Sequence, residues 1–88
     1  MSSTEKEYLV EFGKAFKTLR LKLSNKSLRL LAYESDIHPS VLSRLESGKR
    51  MPNLFTLKKL ANCLNMSIDE LLREIENNIP ENIKNIDD

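Results

Sequence analysis

The chain has 88 residues, with 14 Lys and Arg against 13 Asp and Glu, a net charge of +1, one Cys, one His and two Gly. That length makes one small domain with a thin core, and a single Cys excludes an internal disulfide. No apolar run approaches the length of a membrane span, and no apolar segment follows the N-terminus as in a signal peptide. The expectation is a soluble, cytoplasmic protein with no membrane partner. The small net charge hides a partition. Residues 1–13 carry Glu5, Glu7 and Glu11 against Lys6, a net −2. Residues 14–59 carry eleven cations against Glu34, Asp36 and Glu46, a net +8, and residues 60–88 carry seven acids against Arg73 and Lys84, a net −5. A basic centre between acidic ends is the footprint of a polyanion-binding surface. The plainer alternative is a set of solvated helix faces.

The apolar periodicity is helical almost throughout, and two Gly with no alternating β-branched runs leave little room for a sheet. Thr4 to Glu7 (T-E-K-E) matches a capping box, so a first helix is predicted to start near residue 5. Leu9, Phe12, Phe16, Leu19 and Leu23 form its inner stripe, and Ser24, Asn25 and Lys26 break it. Ser27 can cap a short second helix with Leu28, Leu31 and Ala32 inward. Asp36-Ile37-His38-Pro39 ends it, because the residue before Pro avoids the α region while Pro suits the first position of a new helix.

A third helix then runs from Pro39 to about Ser47, with Leu42 and Leu45 inward and Gly48 as a left-handed stop. Lys49, Arg50, Met51 and Pro52 form a basic loop. Asn53 can cap a fourth helix with Leu54, Leu57, Leu60, Ala61 and Leu64 inward, ending at Asn65. Ser67 to Glu70 (S-I-D-E) is a second capping box, opening a fifth helix with Ile68, Leu71, Leu72 and Ile75. Residues 77–88 read as a polar acidic tail, expected to fray or to be disordered.

The informative stretch is Ser27 to Pro52: short helix, tight turn, second short helix, then Gly and two cations. A helix-turn-helix needs these parts. Its second helix enters the major groove and must show small or polar residues outward near its start, with apolar residues inward. Ser40, Val41, Ser43 and Arg44 are read as outward, Leu42 and Leu45 as inward.

The segments S-R-L-E-S-G-K-R-x-P, L-x-x-L-x-x-L-A-x-x-L and S-x-D-E-L-L, within Val41 to Leu72, resemble the lambda-repressor-like helix-turn-helix family of the Cro and xenobiotic-response-element type. The resemblance spans roughly Phe12 to Ile75. It implies an all-α, compact five-helix DNA-binding domain over about residues 11–76, with the helix-turn-helix at about 27–47 and residues 1–10 as an extension of the first helix. It also implies binding of double-stranded DNA as a homodimer on a partly palindromic operator, with half-sites about 34–36 Å apart. Carried over by position, Pro39, Ser40, Val41 and Arg44 sit where base contacts arise. Arg44 is the strongest specificity candidate, since a guanidinium can grip guanine O6 and N7 together. Ser43, Lys49 and Arg50 sit where phosphates are met. By the same resemblance Glu46 pairs with Arg20 as a structural ion pair; the alternative is that Glu46 accepts from cytosine.

Three departures from the family pattern bear on the contacts. Leu28 stands where Gln is common, Asp36 where the turn often has Gly, and the loop before Ser27 is one residue longer. Lys26, Ser27 and Arg29 are therefore expected to take over phosphate contacts at the start of the second helix. His38 is read as a substitute cap with a phosphate contact as the alternative, and Cys63 as a packed thiol. Ile68, Leu71, Leu72 and Ile75 are either core or a dimer interface. Tyr8, Leu9 and Val10 pose the same choice, while Ile79, Ile83 and Ile86 could extend a helix onto a partner or fray.

No metal-ligand spacing, Gly-rich phosphate loop or nucleophile pair occurs, so neither an enzyme nor a cofactor or metal is expected. The function expected is a DNA-binding transcriptional regulator of repressor or restriction-modification controller type. The alternative is an antitoxin-like module whose main partner is another protein.

Overall fold

The first five helices each start at a side chain that caps them, and most breaks coincide with a residue able to turn left-handed. The computed structural model describes residues 2–84. Within them lie α1 (Ser3–Leu23), α2 (Leu28–Glu34), α3 (Pro39–Glu46), α4 (Leu54–Cys63), α5 (Ile68–Glu76) and α6 (Glu81–Lys84). The caps of α2, α4 and α5 are Ser27, Asn53 and Ser67, each accepting from the backbone N–H three residues on. Asn25, Asp36 and Asn65 take positive φ of 52°, 57° and 59°, and Gly48 takes 72°, conformations that Asn, Asp and Gly tolerate best.

The first helix starts earlier than expected. Ser2, not Thr4, closes the capping box: Glu5 N–H donates to Ser2 Oγ at 3.2 Å and Ser2 N–H donates to Glu5 Oε1 at 3.0 Å. Both candidate boxes have the same spacing, and the earlier one extends the helix without breaking its hydrogen-bond ladder. The Ser2 backbone donor also holds the Glu5 carboxyl below its usual pKa.

The core forms where α1 crosses the other helices. Phe12, Phe16 and Leu19 of α1 meet Leu31 and Ala32, Leu42 and Leu45, Leu60 and Ala61, and Leu71 and Ile75. Helix α1 packs on both α3 and α5, α2 packs on α3, and α4 packs on α5. Burying such a side chain contributes about 1.5–3 kcal/mol before entropy is counted. Leu23 and Leu54, expected inward, are exposed. They are the last residue of α1 and the first of α4, where the chain turns and the burying face is incomplete.

The tail also departs from expectation. Ile79 is only 4% exposed and joins the core; Ile83 of α6 packs at its edge, and α6 lies against α1. Two isoleucines four residues apart give this polar segment one apolar face. Ile86 lies outside the described residues. Near the other terminus, Tyr8 Oη donates to Glu76 Oε2 at 2.7 Å and ties the start of α1 to the end of α5. No helix among the described residues is long and apolar enough to cross a membrane.

Candidate nucleic-acid interface

The tight turn between α2 and α3 is pinned from two sides. Ile37 is buried, and its N–H donates to the Ala32 carbonyl at 2.9 Å. From α4, Lys59 Nζ donates to the Asp36 carbonyl at 3.0 Å and lies 3.8 Å from the Asp36 carboxylate. The same ammonium sits 4.9 Å from the centre of the Phe55 ring. Lys59 was not singled out from sequence, because a turn held by a cation 23 residues away leaves no local signal.

Helix α3 begins at His38, whose Nδ1 accepts the Ser40 N–H at 3.1 Å, so the histidine caps the helix. Pro39 occupies its first turn. Leu42 and Leu45 are buried against the core, while Ser43 and Arg44 are exposed and Pro39 and Ser40 half-buried. Val41, read as outward, is half-buried and packs against the core. It lies between the inner and outer faces of the helix and shows only part of its side chain.

The far end of α3 is locked to α1. Arg20 Nε donates to Glu46 Oε2 at 2.7 Å and Nη2 donates to Oε1 at 3.0 Å. Both side chains are 6% exposed, and Nη1 donates to the Lys26 carbonyl. One guanidinium thus joins α1, the end of α3 and the loop before α2. Glu46 is the last residue of α3, where the negative end of the helix dipole disfavours a carboxylate, and Arg20 offsets that. With both carboxylate oxygens engaged and buried, Glu46 has no edge to offer a cytosine.

Two backbone approaches complete the joint. A Cβ on Gly13 would lie 2.4 Å from the Leu45 carbonyl oxygen and 2.7 Å from that of Glu46. A Cβ on Gly48 would lie 2.7 Å from Val10 Cα. Gly13 was missed from sequence, although a glycine inside a helical stripe is itself a signal of close approach.

The cationic groups divide by availability. Arg29, Arg44, Lys49 and Arg50 are exposed. The Lys49 N–H donates to the Arg44 carbonyl at 2.9 Å, which closes the loop back onto α3. Lys26 instead pairs with Glu34 of α2, and that carboxylate pushes the Lys26 pKa up. Ser27 Oγ is engaged in capping α2. Leu28, at the position where Gln is common, is half-buried and packs against the core. It shares a shallow cleft with Lys17, Ser43, Glu46 and Ser47, so Lys17 joins Ser43 at the edge of the reading helix.

The expected dimer interface requires correction. Leu71 and Ile75 are 0% exposed, because their face of α5 packs on α1, and they cannot touch a second subunit. Ile68 and Leu72 are half-buried. More exposed apolar surface lies at the start of α4, where Leu54 is 69% and Phe55 67% exposed. Together with Ile68 and the stem of Lys58 they line an apolar groove.

A short helix, a left-handed turn and a capped second helix, apolar inside and cationic at its outer end, define a helix-turn-helix. A family model described as helix-turn-helix matches residues 16–71, and the chain belongs to that family. Among curated relatives, the control protein C.BamHI of Bacillus amyloliquefaciens is 34% identical over 61 residues, 69% of this chain and 75% of that protein. The control protein C.MunI of Mycoplasma sp is 31% identical over 67 residues, 76% and 90% of the two chains. Among solved structures, the clp gene regulator ClgR from C. glutamicum superposes with a TM-score of 0.69 at 26% identity, covering 83% of this chain and 92% of that one. The restriction-modification controller protein C.AhdI from Aeromonas hydrophila superposes with a TM-score of 0.64 at 31% identity, covering 76% and 94%.

Proposed function

We propose that this chain is a sequence-specific, DNA-binding transcription regulator of the restriction-modification controller kind, acting in the cytoplasm as a homodimer. The observation that carries the reading is α3 itself. Its inner face is buried, its end is fixed to α1 by Arg20 and Glu46, and Ser43 and Arg44 face solvent beside Lys49 and Arg50. In this reading Pro39, Ser40, Arg44 and the exposed part of Val41 meet base edges. Lys17, Arg29, Ser43, Lys49 and Arg50 meet phosphates, and Lys26 can do so only by leaving Glu34. The relatives favour regulation over an antitoxin-like role. The dimer forms through Leu54, Phe55, Ile68 and Leu72 rather than through Leu71 and Ile75.

The test is a gel shift on DNA selected from a random pool, repeated across salt. Tight binding with a steep negative salt slope is expected. Arg44→Ala should cost about 1–3 kcal/mol and relax the preference at one base pair, and Phe55→Glu should give a monomer in sedimentation. No shift at low salt refutes DNA binding, and a dimeric Phe55→Glu protein refutes the proposed interface.

A further inference from the structure

We infer that His38 is a specificity-determining residue. It fixes the hydrogen-bond polarity of the Ser40 hydroxyl, so that Ser40 selects a base with an amino group in the major groove, adenine or cytosine. The inference rests on the reading that Ser40 meets a base edge.

The geometry is a two-donor contact on one nitrogen. Nδ1 of His38 accepts the Ser40 backbone N–H at 3.1 Å and lies 2.8 Å from Ser40 Oγ. A ring nitrogen that accepts carries no proton, so the neutral ring has its hydrogen on Nε2. The hydrogen on the short line between Nδ1 and Oγ must then come from the serine. A serine hydroxyl is ordinarily ambiguous, donating or accepting as its partner requires. With its proton held by His38, Oγ offers only lone pairs outward. In the major groove adenine N6 and cytosine N4 donate, whereas guanine O6 and thymine O4 accept. Ser40 is thereby matched to the first pair and mismatched to the second.

Protonating His38 reverses the arrangement. Nδ1–H can no longer accept from the Ser40 N–H and instead donates to Oγ, which frees the serine proton to point outward. The preference then broadens toward guanine or thymine. The groups around the imidazole are Tyr33 of α2 and Asp36 of the turn, which border the same surface hollow, Lys59 of α4, which holds Asp36, and Ser40 of α3.

The test uses the full chain and duplex DNA selected from a random pool, with base preference measured at each position by competition. His38 is the only His, so its ring proton resonance reports its charge in the same samples. Above its transition, one position per half-site should prefer adenine or cytosine by roughly two- to tenfold, the range of a single neutral hydrogen bond. Ser40→Ala should flatten the preference at that position alone. Below the transition the wild-type preference there should fall toward one. His38→Asp, whose carboxylate is a strong cap that only accepts, should keep the preference at both pH values. If no position responds to Ser40→Ala, the base-edge reading itself fails. If the responsive position selects guanine or thymine, or keeps its full preference with His38 protonated, the polarity argument is overturned. A uniform affinity change with unaltered preference overturns it too, and marks His38 as a phosphate contact instead.

Discussion

Arg20→Met should be strongly destabilising although it lies away from the reading surface. It leaves the Glu46 carboxylate 6% exposed with neither guanidinium bond, and it removes the donor to the Lys26 carbonyl. Deleting one partner of a buried ion pair costs about 3–5 kcal/mol, because the remaining charge stays desolvated. The whole domain, at 88 residues, holds only about 4–13 kcal/mol. Taking an unfolding entropy of about 2.1 cal/mol/K per residue, the loss corresponds to a fall in Tm of roughly 16–27 °C. Glu46→Gln should fall in the same direction by less, since an amide still accepts one bond. The paired replacement Arg20→Met with Glu46→Leu should recover most of the loss, because no charge is then stranded. The assay is thermal and urea unfolding of Arg20→Met, Glu46→Leu and the paired variant in parallel, closed as a double-mutant cycle, with Glu46→Gln measured beside them. Single variants within about 0.5 kcal/mol of wild type, or a double variant no better than the singles, would refute the account of the pair.

Gly13→Ala should lower stability by about 1–3 kcal/mol, the usual cost of forcing a methyl into filled space, since its Cβ would meet backbone oxygens at 2.4 and 2.7 Å. Thermal unfolding checks it, and an unchanged Tm would mean that α1 and α3 separate freely. Burial and then the Glu76 carboxylate raise the Tyr8 pKa. Its contribution is therefore full below the ordinary tyrosine value of about 10 and is lost as pH rises through the folded value. The Tm advantage of wild type over Tyr8→Phe should hold up to about pH 10 and shrink progressively above it. The Ser67 backbone N–H, and then its hydroxyl, lower the Glu70 pKa from 4.5. That contribution is present above pH 4.5 and fades as pH falls through the lowered value, so Glu70→Gln should flatten the acid side of the Tm curve.

The helix ends were legible because their causes are local. Ser27, Asn53 and the Ser67–Glu70 box act within three residues, and Asp36, Gly48 and Asn65 act on their own dihedrals. The Arg20–Glu46 pair spans 26 residues and was reached through family resemblance rather than from the pattern. What periodicity lacks is the identity of the neighbour. Ile68, Leu71, Leu72 and Ile75 form one apolar stripe, but only the crossing of α1 buries Leu71 and Ile75 completely and leaves Ile68 beside Leu54 and Phe55. The tail was misread for a related reason. Ile79 and Ile83 are sparse among polar residues, and only α1 makes their spacing a face.

The chain's only two glycines both let α1 approach the end of α3 backbone to backbone. Such a joint has no rotamers to exchange, so the angle at which α3 is presented does not depend on which side chains it carries outward. Seating and reading are separable modules. The outward positions of α3 can be rewritten for another operator, or grafted from a relative, without rebuilding the socket that holds the helix. A transplant that carried the outward residues but lost Gly13 would bring the right letters at the wrong tilt.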